Sequence, residues 1–199
     1  YSLSGIYMNM TQKCNLSCPY CFAATRQEHG AMQLSTDEYI GIINQAMLIN
    51  KDLSVICTGG EPLLSPSTVP VAKYAKKYGL FTKILTNATL INEQNVEQLV
   101  ESFDEFKISI DGSNATKHDY YRGSGSYDKT IHAIELLKKY KKQVTIAMVV
   151  TKENISDIDA MCKNWGSMLT LQPLFPLGRG KNKEEELALT GREYFNALA

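Results

Sequence analysis

Three cysteines, Cys14, Cys18 and Cys21, stand at C-x3-C-x2-C spacing in the stretch Cys14-Asn15-Leu16-Ser17-Cys18-Pro19-Tyr20-Cys21-Phe22. Thiols this close in sequence meet at one centre only if the backbone curls around it, and Pro19 favours such a loop by fixing its own φ and removing a donor. A cube of four irons has four corners, usually held by four thiolates. A trio therefore leaves one iron free to bind something that is not protein and to pass it an electron. Two plainer readings stand beside this one. A structural zinc site wants four ligands, but Cys57 and Cys162 are isolated and His29, His118 and His132 are scattered. A disulfide framework suits a short secreted chain, whereas five cysteines is an odd number and no secretory signal is evident.

Other residue types with chemical potential recur further along. Gly59-Gly60-Glu61-Pro62 offers two residues without Cβ, so backbone can approach a ligand, and a carboxylate that can accept from a cationic amine. It could equally be a turn. Ser109-Ile110-Asp111-Gly112 alternates polar with apolar, which sends Ser109 and Asp111 to the same side of a strand. Such groups need partners, and nucleoside ribose hydroxyls would serve; a strand-to-turn cap is the alternative. Asn87 in Thr86-Asn87-Ala88 is a polar contact or a turn asparagine, and Arg122 is a carboxylate clamp or a solvated cation. His118 and Asp119 form a possible proton-transfer pair on a loop, where adjacent residues are more often merely solvated. Cys57 reads as a strand core residue and Cys162 as a helix residue beside Trp165.

Strands and helices must position these residues. Tyr1–Met10 reads as a strand delivering the chain to the cysteines, and a polar stretch to Gly30 follows them. Ser35 is an N-cap with Glu38 completing a capping box, and Ile40, Ile43, Ala46, Met47 and Ile49 follow at helical spacing. Strands are then expected over Leu53–Cys57, Leu80–Leu85, Glu105–Ile110, Val144–Val150 and Met168–Leu174. Helices are expected over Thr68–Tyr78, Asn92–Phe103, Tyr127–Lys141 and Asn154–Trp165. The alternation predicts a parallel sheet covered by helices, and the apolar run Val144–Val150 predicts a strand buried on both faces. The cysteine loop, the Gly-Gly-Glu loop, Asn87, Ser109-Ile110-Asp111 and Gln172 all fall at or just past the C-terminal ends of successive strands, where barrels build their sites. The polar stretch Gly178–Glu186 reads as a domain edge or a mobile loop.

The cysteine spacing, with Tyr20 before and Phe22 after the last thiol, resembles the signature of the radical S-adenosylmethionine (SAM) enzymes. The resemblance covers about residues 5 to 180. It implies an α/β fold, a partial (β/α)6 TIM barrel open on one side. It also implies a [4Fe-4S] cluster on Cys14, Cys18 and Cys21 that reductively cleaves S-adenosylmethionine to a 5′-deoxyadenosyl radical, which abstracts hydrogen from a substrate. Gly59, Gly60 and Glu61 match the family element that binds the methionine amine. Asn87, Ser109 and Asp111 fall where the family contacts the cofactor, Arg122 would clamp the methionine carboxylate, and Tyr20 and Phe22 would pack near the adenine.

The later runs, Asp119–Tyr127 and Pro176-Leu177-Gly178-Arg179-Gly180, look like the branch carrying a cysteine-rich SPASM extension, whose members mature peptides and proteins. The C-terminal cysteines of that branch are missing here. The chain therefore reads as one catalytic core over residues 1–199, cut before such an extension, as its first residue Tyr1 and its end inside a helix also suggest. A peptide or protein substrate, adding as a strand to a sheet edge, and a reducing flavodoxin or ferredoxin are the partners implied. The alternatives are a small-molecule cofactor-biosynthesis enzyme of the same family and a zinc-stabilised α/β binding module.

Length and charge bound the class of protein. At 199 residues the chain suits one domain. Lys plus Arg equals Asp plus Glu at 21 each, which gives no electrostatic reason to expect nucleic acid or an anionic membrane as partner. No apolar run approaches the ~18 residues that span a bilayer. A soluble, cytoplasmic protein is expected.

Overall fold

The computed structural model describes residues 3–23 and 33–198. The polar stretch after the cysteines, with His29, lies outside them. Six strands, β1 (Gly5–Asn9), β2 (Ser54–Thr58), β3 (Phe81–Thr86), β4 (Glu105–Ser109), β5 (Gln143–Val150) and β6 (Leu169–Pro173), form one sheet in the order β1-β2-β3-β4-β5-β6, every pair parallel. Between them run α1 (Thr36–Ile49), α2 (Thr68–Lys77), α3 (Val96–Ser102), the pair α4 (Ala115–Arg122) and α5 (Ser126–Lys139), and α6 (Ile158–Trp165); α7 (Glu184–Leu187) and α8 (Gly191–Leu198) follow β6. A doubly wound sheet reverses its strand order at a switch point and carries helices on both faces. Sequential order with right-handed crossovers puts all helices on one face and leaves the other concave. The fold is thus α/β, a partial (β/α)6 TIM barrel, as expected from the sequence.

Local signals explain the boundaries. Ser35 Oγ accepts from the Glu38 amide at 3.3 Å and Glu38 Oε2 accepts from the Ser35 amide at 2.7 Å, so the capping box is made. After α2 the chain reverses at Gly79, whose φ of +76° suits glycine. α3 starts only at Val96, because Asn92 and Asn95 form a side-chain-capped turn before it. Similarly, a short 3-10 turn, Ile155–Asp157, precedes α6. The stretch around His118 and Asp119 is helical rather than a loop: Asn114 Oδ1 caps α4 by accepting from the Lys117 amide, and Gly123, at φ +102°, ends it.

The core lies between sheet and helices. Phe106, Ile84, Ile108, Ile146 and Met148 are wholly buried there, against Ile43, Val71, Leu99 and Leu137. Residues of the opposite parity, such as Lys83, Lys107, Ser109, Thr145 and Ala147, are half-buried on the concave face. Strand β5 is therefore buried on one face and not on two as its apolar run suggested. Six strands do not close, so the lumen is lined but not filled with side chains. No helix among the described residues is long and apolar enough to cross a membrane.

Phe106 meets the Phe103 ring edge-on at 5.9 Å. Truncating Phe106→Ala should cost about 3–5 kcal/mol, read as a lowered urea midpoint.

Candidate active site

The cysteine loop is the continuation of β1. Beyond the sheet the Met10 amide donates to Thr58 O (2.9 Å), the Gly60 amide to Thr11 O (2.7 Å) and the Glu61 amide to Lys13 O (2.8 Å). The loops after β1 and β2 are thereby zipped together. A Cβ on Gly59 would sit 2.5 Å from Thr11 O, and one on Gly60 2.6 Å from the Lys13 carbonyl carbon. Room that sequence reasoning reserved for a ligand is taken by the backbone that leads into Cys14.

Past Lys13 the chain turns tightly. The Leu16 amide donates to Cys14 Sγ at 3.4 Å and the Cys21 amide to Cys18 O at 3.3 Å. Arg179, in the segment expected to be an edge or a mobile loop, fastens this turn: its Nε donates to Cys18 O (2.9 Å) and its amide to Cys21 O (3.0 Å). Gly180 is buried, 3.2 Å from Tyr20 O for any added Cβ. Beneath lies a small apolar cluster of Cys18, Tyr20, Tyr121, Leu174 and Leu187.

None of the three cysteines is in a disulfide. Burial pushes the Cys14 and Cys18 thiols up; negative charge on Cys18 and Cys21 adds to the rise at Cys14, while Arg122 works against it at Cys18. Among the described residues no three His, Cys, Asp or Glu side chains converge tightly enough for a single metal ion. Zinc would need every thiolate within about 2.3 Å of one centre, whereas a cube spreads three thiolates over three irons. Three thiolates are one short of the four that a structural zinc site takes, and they suit a cube whose fourth iron stays open. Cys57 is buried in β2, its thiol pushed up to about 12 by burial, and Cys162 is exposed on α6, both remote in role from the trio.

The strand ends supply a network around this loop. Asn87, after β3, donates from Nδ2 to Asn15 Oδ1 at 3.0 Å and lies 4.0 Å from Cys14 Sγ. Glu61 is fully buried and accepts from the Asn87 amide (2.9 Å), Thr86 Oγ1 (2.7 Å) and the Leu63 amide (3.1 Å). Burial outweighs these three donors and pushes its carboxyl up to about 7. Its carboxylate joins the β2 and β3 loops. Asp111, past β4, is likewise fully buried and accepts from Tyr20 Oη, Arg122 Nε and the Val149 amide, the last at 2.8 Å. Burial, then the Asp111 charge, holds the Tyr20 phenol above its ordinary range, so it stays a donor.

Tyr20 is therefore anchored within the fold, its ring 5.3 Å from that of Tyr121, while Phe22 is 63% exposed. Ser109 is half-buried on the concave face one pleat below Asp111, and Gln172 is half-buried on β6. Arg122 lines a cleft of about 340 Å3 shared with Asn15, Ser17, Thr89 and Lys129. The cleft sits beside the cysteine loop and could receive a polar, carboxylate-bearing ligand.

His118 and Asp119 do not form a pair. Asp119 caps α5, accepting from the Gly125 amide (2.6 Å), the Tyr127 amide (2.8 Å) and Ser126 Oγ (3.0 Å). His118 points inward, Nδ1 3.4 Å from the Asp111 amide and Nε2 without a partner. Sequence reasoning singled out Asp111, Glu61, Asn87 and Arg122, and missed Thr86, Asn15 and the Val149 amide as their partners. Only the Gly-Arg-Gly pattern around Arg179 hinted at its role.

Two measurements check this geometry. Gly60→Ala must push the loops apart, and cluster loading should fall several-fold with a lowered melting temperature. Burial holds His118 neutral, its pKa lowered to about 4 from 6.5. The unfolded chain gains that proton near pH 6.5 and the folded one only near 4, so stability is lost as pH falls between them, by about 3 kcal/mol. His118→Gln, which cannot titrate, should lack this loss in urea titrations across that range.

Comparison with known proteins agrees with the geometry. The Radical SAM superfamily model matches residues 8–164. An AdoMet-dependent heme synthase of Methanosarcina barkeri is 34% identical over 186 residues, covering 90% of this chain and 53% of its own length. Mycofactocin maturase MftC of Mycolicibacterium smegmatis is 29% identical over 92% of this chain and 48% of its own. The chain spans about half the length of the curated relatives it matches. Among solved structures, anSMEcpe with bound AdoMet and the Cp18Cys peptide superposes with a TM-score of 0.80 at 25% identity, over 100% of this chain and 58% of that one. Streptococcus suis SuiB bound to precursor peptide SuiA superposes at 0.77 and 21% identity, over 88% and 40%, a likeness of fold. Since the matched span takes in the thiol trio, the glycine loop and the strand-end network, this chain belongs to the radical SAM superfamily, enzymes that use a [4Fe-4S] cluster and S-adenosylmethionine.

Proposed function

We propose that Cys14, Cys18 and Cys21 hold the [4Fe-4S] cluster, that S-adenosylmethionine lies between the cysteine loop and the strand ends, and that the substrate is a peptide or protein side chain. Bound there, a reduced cluster would supply the one electron that breaks the sulfonium S–C5′ bond of S-adenosylmethionine, releasing methionine and leaving a hydrogen-abstracting 5′-deoxyadenosyl radical. The protein's own share is placement. Gly59 and Gly60 bring the loop carrying Glu61 against the cysteine loop, and Asn87 bridges Asn15 and Cys14. Asp111 and Tyr20 act through Arg122, fixing its Nε so that the terminal nitrogens serve the methionine carboxylate. Ser109, on the concave wall, and Phe22, exposed at the loop, contact the nucleoside. A flavodoxin or ferredoxin would deliver the electron.

The observation that carries the reading is the fastening of a three-thiol loop to the strand ends that present Asn87 and Asp111, with Arg122 held to Asp111 from α4. A peptide substrate is favoured by the likeness to mycofactocin maturase and to a PqqA peptide cyclase, 28% identical over 76% of this chain. The outer strands β1 and β6 also leave sheet edges for strand addition. A tetrapyrrole or other small molecule is the second reading, favoured by three heme synthases at 28–34% identity.

Anaerobic reconstitution of the full-length protein tests the cluster. About four irons per chain and a broad absorbance near 400 nm are expected, both lost when the three cysteines become Ala. Stoichiometric zinc without that absorbance overturns the reading. Under dithionite, 5′-deoxyadenosine should form, and its yield should rise with the true substrate class.

A further inference from the structure

Deeper in the barrel, below the residues assigned to the cofactor, the concave wall carries an unbalanced charge. Lys83 on β3 and Glu105 on β4 are register partners and pair at 2.5 Å, and Thr145 Oγ1 on β5 donates to the same Glu105 oxygen at 2.7 Å. With Glu105 buried and so engaged, that anion is already matched to one cation. Lys107 lies one pleat further up β4 on the same face, between Leu85 of β3 and Thr145 of β5 in register. Its strand neighbours Phe106 and Ile108 are wholly buried on the other side, which fixes Lys107 to the lumen. Two lysines thus face one carboxylate in this layer, and the registered neighbours of Lys107 are neutral.

The surplus cation is costly where it stands. Burial, then the nearby Lys83 charge, lowers the Lys107 pKa, opposed only by Glu105. A half-desolvated ammonium on a wall with no anion of its own is relieved by an anion arriving from the lumen. Position agrees with that use. Lys107 is two residues, roughly 6.6 Å of strand, below Ser109 and two pleats below Asp111. A group reaching it extends past the strand-end site into the barrel, beyond the residues assigned to the cofactor.

We infer that Lys107 binds a carboxylate of the substrate from inside the barrel, with the Lys83–Glu105 pair holding the floor beneath it. The inference rests on the reading that substrate enters the barrel mouth beside the cluster. It applies equally to an acidic peptide side chain and to a tetrapyrrole propionate.

The test uses the full-length, cluster-loaded protein as wild type, Lys107→Met and Lys107→Arg, with equal iron content and melting temperature as the folding controls. Two probe pairs are titrated: dansyl-hexaglutamate against dansyl-hexaglutamine by fluorescence, and Fe-coproporphyrin III against its tetramethyl ester by absorbance. Wild type should prefer one acid over its neutral partner by about tenfold or more. Lys107→Met should erase that preference and Lys107→Arg should keep most of it. A preference confined to the porphyrin acid and dependent on Lys107 supports the inference while removing the peptide reading. A preference that survives in Lys107→Met, or no preference for either acid in wild type, overturns it.

Discussion

The buried carboxylate of Asp111 is the constraint on which the rest of the site depends. It takes a phenol from the cysteine loop, a guanidinium from α4 and a backbone amide from β5, so three stretches of chain share one anion at the end of β4. A fully buried charge is tolerated only when paired and hydrogen-bonded, and removing one partner of such a pair is typically worth about 3–5 kcal/mol. Tyr20 reaches it across 91 residues of sequence. Moving Asp111 would therefore move the loop that carries the thiols.

Glu61 does for the first half of the barrel what Asp111 does for the second. Its carboxylate caps the turn beginning at Pro62 and accepts from Thr86 and Asn87 one strand away. Asn87 in turn uses its side chain toward Asn15 and Cys14 and its carbonyl to accept from Thr130 of α5. Each of the two buried acids also accepts from backbone amides, Glu61 from those of Leu63 and Asn87, and Asp111 from that of Val149. The polar groups of the site bind one another, leaving the cleft beside Arg122 and the concave wall for other molecules.

Much of this was legible in residue types. The capping box at Ser35 and Glu38, the six strand–helix alternations and the clustering of marked residues at strand ends all follow from local pattern. The partners did not, because Thr86 meets Glu61 and Val149 meets Asp111 only through the fold. Strand β5 misled because Thr145 and Ala147 interrupt its apolar residues too mildly to mark a half-open face. Helix α4 was missed because His118-Asp119-Tyr120-Tyr121 offers weak helix formers and little apolar period, while its Asn114 cap and Gly123 stop read equally well as loop residues. Arg179 sits in a stretch so polar that composition argued for solvent, yet its hydrogen bonds go to the carbonyls of Cys18 and Cys21.

That last contact bears on biogenesis. Each strand pairs with the next to be made, so the sheet can grow by neighbour addition as the polypeptide emerges from the ribosome. Arg179 is 161 residues downstream of the carbonyl it fastens. During translation the thiol turn must wait, unclasped, until all six strands of the sheet have been synthesised, so the clasp is among the last contacts the emerging chain can make.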